Sequence, residues 1–187
     1  MKNLRILGIA FVSLVLLNSC SKDDNKNTPV IEEEVITTVI TTLTNGIQTT
    51  TLTSRDLDGE GPNVPVVTVS GNLLASTAYT GTISILNETV SPAKNITAEI
   101  EEKGLEHQFF FQAPSGVGSI AYSDADSNGK PIGLRFVLTT GSVAAMGDLL
   151  ITLRHLPNKS AVGVSTGDIL NAGGTTDVEA TYPVVVN

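Results

Sequence analysis

Short runs of threonine and β-branched apolar residues, divided by turn-forming residues, dominate the chain from Glu34 onward. The first two runs are residues 35–44 and 47–54, and Asn45-Gly46 stands between them. Thr, Val and Ile favour the pleated, half-buried surface of a sheet, and Asn-Gly favours a hairpin turn because both residues tolerate positive φ. The pattern predicts a β-hairpin over residues 34–55.

Further runs of the same kind predict the remaining strands. They cover residues 64–69, 78–86, 107–112, 119–122, 134–139, 148–155 and 177–186. Gly, Asn, Asp and Pro separate them, and several short strands with such turns are typical of an antiparallel sandwich or barrel. We therefore expect an all-β fold, an antiparallel β-sandwich of the immunoglobulin-like or a related kind.

One short helix is expected between these strands. Asn95 suits the N-cap, Ile96 and Ile100 lie one turn apart, Glu99 and Lys103 are spaced for an i, i+4 ion pair, and Gly104 suits the C′ position. These signals predict about two helical turns. A second helical turn is expected around residues 142–146.

The N-terminal stretch has a different pattern. A basic start is followed by the apolar run 6–17, which is shorter than the roughly 20 residues that a membrane-spanning helix needs. Leu17-Asn18-Ser19-Cys20 resembles the lipobox of bacterial lipoproteins, although Asn18 stands where a smaller residue is usual. We expect residues 1–19 to be a signal peptide and Cys20 to carry acyl chains, palmitate among them, that anchor the protein to a membrane.

The residues after Cys20 bear on organisation and location. Residues 21–33 contain almost no apolar side chain, so residues 20–33 are expected to form a lipidated, flexible tether and residues 34–187 a single β-sandwich domain. Ser21-Lys22-Asp23-Asp24 resembles the export signal of Bacteroidetes-type surface lipoproteins. That resemblance implies an outer-membrane location, on the cell surface; an ordinary acidic tether is the alternative.

Charge and cysteine content exclude some classes of function. Without residues 1–19 the formal charge falls from −8 to −10, because Lys2 and Arg5 are removed. An acidic chain with no basic cluster is a poor partner for nucleic acid. Cys20 is the single cysteine, so its acylation would leave no thiol for a disulfide or for a zinc ligand.

Two acidic loops are candidate calcium sites. Asp124, Asp126 and Asn128, followed by Gly129, match the first half of a calcium loop, but Arg135 stands where an EF-hand has its bidentate Glu. The same residue types also form plain hairpin turns. The loop with Asp56, Asp58 and Glu60 is the second candidate, and ordinary solvation of its carboxylates is the alternative.

The two histidines form a candidate zinc site, in addition to the two candidate calcium sites. His107 and His155 are the only histidines, and Glu106 and Glu102 lie close to His107 in the sequence. Two imidazoles with one or two carboxylates suit zinc or a similar ion, provided that the strand starting at His107 and the strand ending at His155 are neighbours. Half-exposed or hydrogen-bonded histidines at strand ends are the alternative.

No catalytic constellation is apparent. Residues 163–167 fit G-x-S-x-G, yet the hydrolase elbow needs a later histidine, and none follows His155. The sequence therefore predicts a protein that is not an enzyme.

Several patches resemble a group of small Bacteroidetes-type surface lipoproteins that are often labelled type 1 periplasmic-binding-fold proteins. These patches are residues 56–61, 79–88, 106–111, 153–155 and 173–177. The label implies alternating strands and helices, whereas this sequence predicts strands. The group suggests an accessory to an outer-membrane nutrient receptor, so we expect a non-enzymatic, membrane-anchored lipoprotein that binds a ligand or a partner. The alternative is a lipoprotein that binds or captures zinc or calcium.

Overall fold

The computed structural model describes residues 34–59 and 61–187. Its strands are β1 (Thr38–Thr44), β2 (Thr49–Arg55), β3 (Val66–Val69), β4 (Ala78–Asn87), β5 (Lys94–Asn95), β6 (His107–Gln112), β7 (Gly118–Tyr122), β8 (Arg135–Thr140), β9 (Ala145–His155) and β10 (Thr175–Val186). One helix, α1 (Thr97–Glu102), and one 3-10 turn (Val164–Thr166) complete the described elements. Residues 1–33, which include Cys20 and the stretches expected to be a signal peptide and a tether, lie outside the described residues.

The strands form two antiparallel sheets. The larger has the order β3-β2-β1-β4-β8-β7, with β5 paired to β4, and the smaller has the order β10-β9-β6. Glu33–Asn187 forms one compact unit. The expected all-β antiparallel sandwich is confirmed.

A continuous apolar core lies between the sheets. The larger sheet contributes Val39, Leu43, Leu52, Ile83, Ile85, Phe136 and Leu138, and the smaller contributes Phe109, Leu149, Ile151, Leu153, Tyr182 and Val184. Tyr182 also donates a hydrogen bond from its hydroxyl to the Val39 carbonyl at 3.0 Å, which ties the sheets together. The alternation of side chains along each strand thus decides which residues face the interior.

The predicted β1-β2 hairpin is present, but its turn differs in detail from the expectation. The connection is four residues long, 45–48, and only Gly46 has a positive φ (86°). Asn45 uses its side chain instead, because its Oδ1 accepts hydrogen bonds from the backbone N–H groups of Ile47 and Gln48. Asn45 therefore stabilises the turn as a hydrogen-bond acceptor.

The prediction of the first helix was correct in place and wrong in detail. Asn95 lies in β5, and Ile96 occupies the N-cap position, although Asn95 Oδ1 still accepts a hydrogen bond from the Thr97 N–H. Glu99 and Lys103 do not pair with each other: Lys94 binds Glu99 at 2.7 Å, and Lys103 binds Glu34 at 2.6 Å.

The second expected helical turn, at 142–146, is wrong. Residues 142–143 form a bend and β9 already begins at Ala145. The sequence prediction began this strand three residues too late, at Asp148, because it assigned the residues up to Met146 to the helical turn.

Candidate functional site

The two histidines lie on neighbouring strands. β6 and β9 pair antiparallel with His107 directly opposite His155. The imidazole rings stack with centroids 4.9 Å apart and planes at 9°. Phe109 and Leu153, two residues away on the same strands, are core residues, so both histidines face the interior of the sandwich at the end of the smaller sheet. The strand that starts at His107 and the strand that ends at His155 are therefore neighbours, as the zinc hypothesis required.

A β-bulge brings a carboxylate to the histidines. The register between β9 and β10 shifts between Thr176 and Val178, so Asp177 is an extra residue in β10. Bulges re-aim side chains, and here Asp177 Oδ2 lies 3.6 Å from His107 Nε2 while Oδ1 lies 4.0 Å from His155 Nδ1. One carboxylate thus faces both imidazoles.

The segment before β1 supplies a second carboxylate. Glu34 Oε2 lies 3.7 Å from His107 Nε2, and its other oxygen accepts an ion-paired hydrogen bond from Lys103. Burial raises the pKa of Glu34, but the hydrogen bond from Lys103 and the neighbouring charges outweigh burial, so the pKa is lowered overall. Glu34 is therefore ionised at neutral pH.

His107 is held in a defined state. Its Nδ1 lies 3.1 Å from the Lys103 carbonyl, which can only accept, so Nδ1 carries the proton and Nε2 presents a lone pair. The side chain is 0% exposed, and within residues 34–59 and 61–187 nothing hydrogen-bonds Nε2. Burial lowers the pKa of His107, against the opposing effects of the Lys103 hydrogen bond and the Glu34 charge. A buried, neutral imidazole therefore aims an electron pair at the space between two carboxylates.

This arrangement matches a metal site in its distances and donor types. The ligand atoms of Glu34, His107 and Asp177 lie within 4.8 Å of one another. Ligands about 2.0 to 2.1 Å from a tetrahedral zinc ion lie about 3.3 Å apart, close to the 3.6 and 3.7 Å separations found here. A backbone carbonyl that fixes the tautomer of a metal-ligating histidine is also a usual outer-shell feature, and the Lys103 carbonyl has that position. We call Glu34, His107 and Asp177 the HDE cluster.

The other residues of the predicted zinc site lie around the HDE cluster. His155 stacks on His107 and faces Asp177. The side chain of Glu106 is half exposed, and its Oε2 lies 3.9 Å from His155 Nε2. Glu102 is an exposed residue at the end of α1 and is not among the clustered ligand atoms. His155 and Glu106 thus flank the site, while Glu102 lies apart from it.

The Asp124 loop is organised around hydrogen bonds. Asp124 accepts hydrogen bonds from the backbone N–H groups of Gly133 and Arg135, and Asp126 Oδ1 accepts from those of Asn128 and Lys130. The buried ammonium of Lys159 lies 2.9 Å from Asp126 Oδ2. A cation is thus already present where calcium was expected, which favours the turn over the calcium loop.

The second acidic loop also uses its carboxylates within the turn. Asp56 Oδ1 accepts a hydrogen bond from the Gly59 N–H, and Asp58 Oδ2 accepts from the Asn63 side chain. Glu60 lies outside the described residues. These contacts shape the loop and leave its charges near the surface.

Sequence reasoning missed Glu34 and Asp177. Both lie at the beginning of a predicted strand, where acidic residues are common and carry no motif. The one signal that points to Asp177 is that β10 would run antiparallel to β9 and start opposite His155. That inference required the strand order, which the sequence does not specify.

Neither a family model, a curated protein nor a solved structure matches this chain. Among the described residues, no helix is both long and apolar enough to cross a membrane. The geometry of the site itself is therefore the basis on which a function can be proposed.

Proposed function

We propose that this protein is a lipid-anchored metal-binding protein that holds a divalent ion of the zinc class at the HDE cluster. The observation that carries the proposal is the buried Nε2 of His107, which faces Glu34 and Asp177 and has no hydrogen-bond partner within the described part of the chain. An unpaired buried nitrogen costs roughly 1 to 3 kcal/mol. A bound cation would remove that cost and would attract both carboxylates.

The donor set favours a zinc-type ion over calcium. Calcium takes six to eight oxygen ligands, whereas imidazole with carboxylates suits zinc and related transition metals. A proton on Nε2 is the competing occupant, since imidazolium would pair with both carboxylates. Burial opposes that charge and lowers the pKa of His107, which favours a metal ion at neutral pH.

Three protein ligands also indicate exchangeable binding. Structural zinc sites are usually closed by four protein ligands, whereas sites with three keep one position for water or another ligand. The HDE cluster has three, and a fourth position would let an incoming ion keep a water molecule while it binds. This arrangement suits capture and release of the metal.

The N-terminal sequence supports a location for this activity. Cys20 ends a lipoprotein-type signal, and Lys22-Asp23-Asp24 resembles a surface-export signal. We propose that acylated Cys20 holds the protein at the outer membrane, on the cell surface, where it would serve as an accessory to an outer-membrane receptor. Mild crosslinking on cells followed by purification tests the accessory role, and recovery of the protein alone would contradict it.

Zinc titration against a chromophoric chelator tests the binding proposal. We expect one zinc ion per wild-type chain. Asp177→Asn should weaken binding at least about tenfold, because outer-shell changes alone cost 10- to 100-fold in metal sites. Asp148→Asn, an exposed Asp on β9 about 23 Å along the strand from His155, is the matched control and should bind as wild type.

Two results would contradict the proposal. One is the absence of zinc binding by the wild-type protein; an NMR titration that shows His107 protonated at pH 7 would then identify the proton as the occupant of the site. The other is equal zinc affinity in wild type, Asp177→Asn and Glu34→Gln. Both substitutions keep the side-chain size, so misfolding would be a poor explanation for a loss of binding.

A further inference from the structure

A cavity between the two sheets has one member of the HDE cluster, Asp177, among its lining residues. It has a volume of about 220 Å³, and its lining includes Thr37 before β1, Ser54 on β2, Asp56 and Gly59 after β2, and Asp177 and Val178 on β10. Asp177 therefore lies on the wall of this cavity and also faces His107 Nε2 at 3.6 Å. The cavity connects the acidic loop that follows β2 with a member of the HDE cluster.

The cavity is acidic. Asp56, Asp177 and Glu179 are among its lining residues, and none of the described lining residues is basic. Asp58 lies on the same loop as Asp56, and hydrogen bonds from Asn63 lower the pKa of its carboxyl, so it is ionised at neutral pH. Negative charge thus extends from the loop to the HDE cluster.

The dimensions fit a hydrated ion. Six waters at about 30 Å³ each occupy on the order of 180 Å³. A hydrated divalent cation therefore fits in the cavity and can lose water stepwise as the carboxylates of the HDE cluster replace its water ligands. An anionic chelate such as zinc citrate would be repelled by the same carboxylates.

We infer that this cavity is the access route to the HDE cluster, and that it admits the free hydrated cation and excludes metal bound in anionic chelates. The inference rests on the proposed function, because it presupposes a metal at the cluster. It also assigns a role to the loop with Asp56 and Asp58, whose own carboxylates are used in turn hydrogen bonds. That loop steers the cation and does not coordinate it.

Stopped-flow mixing of zinc chloride with the full-length protein in detergent, followed with a metallochromic indicator, tests the route. Asp56→Asn keeps an oxygen to accept the Gly59 N–H and removes one charge, and Asp148→Asn removes the same charge elsewhere. At low ionic strength Asp56→Asn should bind zinc about 3 to 10 times more slowly than wild type. In about 1 M salt the two rates should converge, since the Debye length is then only about 3 Å.

The dissociation rate separates steering from coordination. Asp56→Asn should leave it unchanged, and Asp148→Asn should leave both rates unchanged. Zinc citrate should deliver metal only as fast as it releases free zinc.

Three outcomes would overturn the inference while the proposed function stands. The first is an equal zinc association rate for Asp56→Asn and Asp148→Asn at every salt concentration. The second is faster dissociation of zinc from Asp56→Asn than from wild type. The third is direct transfer of zinc from zinc citrate to the protein. In each case binding would still depend on Asp177. A wild-type protein that does not bind zinc would instead remove the proposed function, and the access route with it.

Discussion

Single side chains decide how the loops of this protein are held, and Lys159 is the clearest case. Its ammonium is 7% exposed and contacts the Asp126 carboxylate together with the carbonyls of Gly104 and Pro131. Burial lowers the pKa of Lys159, against the attraction of Asp126. A buried charge of this kind depends on its partner, because removal of one member leaves the other without compensation.

Asp126→Asn should therefore destabilise the protein by about 3 kcal/mol. The substitution keeps an oxygen for the backbone N–H groups of Asn128 and Lys130 and removes the negative charge that Lys159 needs. Urea unfolding measures the loss, with Asp148→Asn as a control expected to stay within about 0.5 kcal/mol of wild type. Equal midpoints for the two variants would contradict the assigned role of the ion pair.

The same ion pair predicts a dependence on pH. Burial raises the pKa of Asp126, but the hydrogen bonds from Lys159 and the backbone outweigh burial and lower the pKa overall. A lowered carboxyl pKa contributes stability above the unfolded pKa, about 3.9, and loses it as the pH falls through the folded pKa. The stability gap between wild type and Asp126→Asn should therefore be widest near neutral pH and narrow below about pH 4. A gap that is constant from pH 7 to pH 2.5 would contradict this assignment.

At the scale of elements, turns and irregularities set the register of the strands. Gly46 permits the β1-β2 turn, and the bulge at Asp177 turns a carboxylate toward the histidines. A regular β10 would have kept the strict alternation of side chains and would have placed Asp177 and Val178 on opposite faces. The irregularity therefore creates the HDE cluster while Val178 still packs against the core.

Gly46→Ala tests the turn. Its φ of 86° lies in the left-handed region, where a Cβ atom costs about 1 to 2 kcal/mol. Nothing lies within 4 Å of the added Cβ, so the expected loss reflects backbone strain alone. Gly71→Ala, which also meets nothing and has no positive φ, should cost less than about 0.5 kcal/mol in thermal unfolding. Equal losses for both variants would contradict the argument.

At the scale of the whole molecule, the site joins parts of the chain that are distant in sequence. Glu34, His107 and Asp177 come from the segment before β1, from β6 and from β10. Glu34 precedes the first strand and contributes no side chain to the apolar core. Metal binding would therefore link the N-terminal segment to the smaller sheet. We expect the protein to fold without this link.

A pair of shortened chains tests this separation of folding from binding. A chain that starts at Val35 should keep its unfolding midpoint in chelator, apart from the loss of the Lys103–Glu34 pair. Because the Lys103 side chain of that pair is half exposed, we expect the loss to be about 1 kcal/mol. A chain that starts at Glu33 keeps Glu34. Zinc at 1,000 times its dissociation constant should stabilise that longer chain by about 4 kcal/mol, or about 8 to 16 °C.

Calorimetry with and without zinc measures both effects. The chain that starts at Val35 should show less than half of the zinc-induced shift. Identical zinc shifts in the two chains would remove Glu34 from the site. A large loss of stability in chelator would instead mean that Glu34 is part of the fold.

The sequence by itself determined the class of fold and nearly all of the strands. Strand positions follow from local preferences, namely β-branched residues, threonine and turn-forming residues, and these act within a few neighbours. The sequence also indicated that His107 and His155 are the nitrogen donors worth considering. It could not pair them, because pairing depends on strand order.

Only the tertiary structure decided which carboxylates meet the histidines. Lys103 pairs with Glu34 instead of Glu99, and Asp126 pairs with Lys159 in the loop where the sequence suggested a calcium ion. These partners are 69 and 33 residues apart, so no local pattern relates them. Packing of the two sheets brings them together, and the bulge in β10 completes the site.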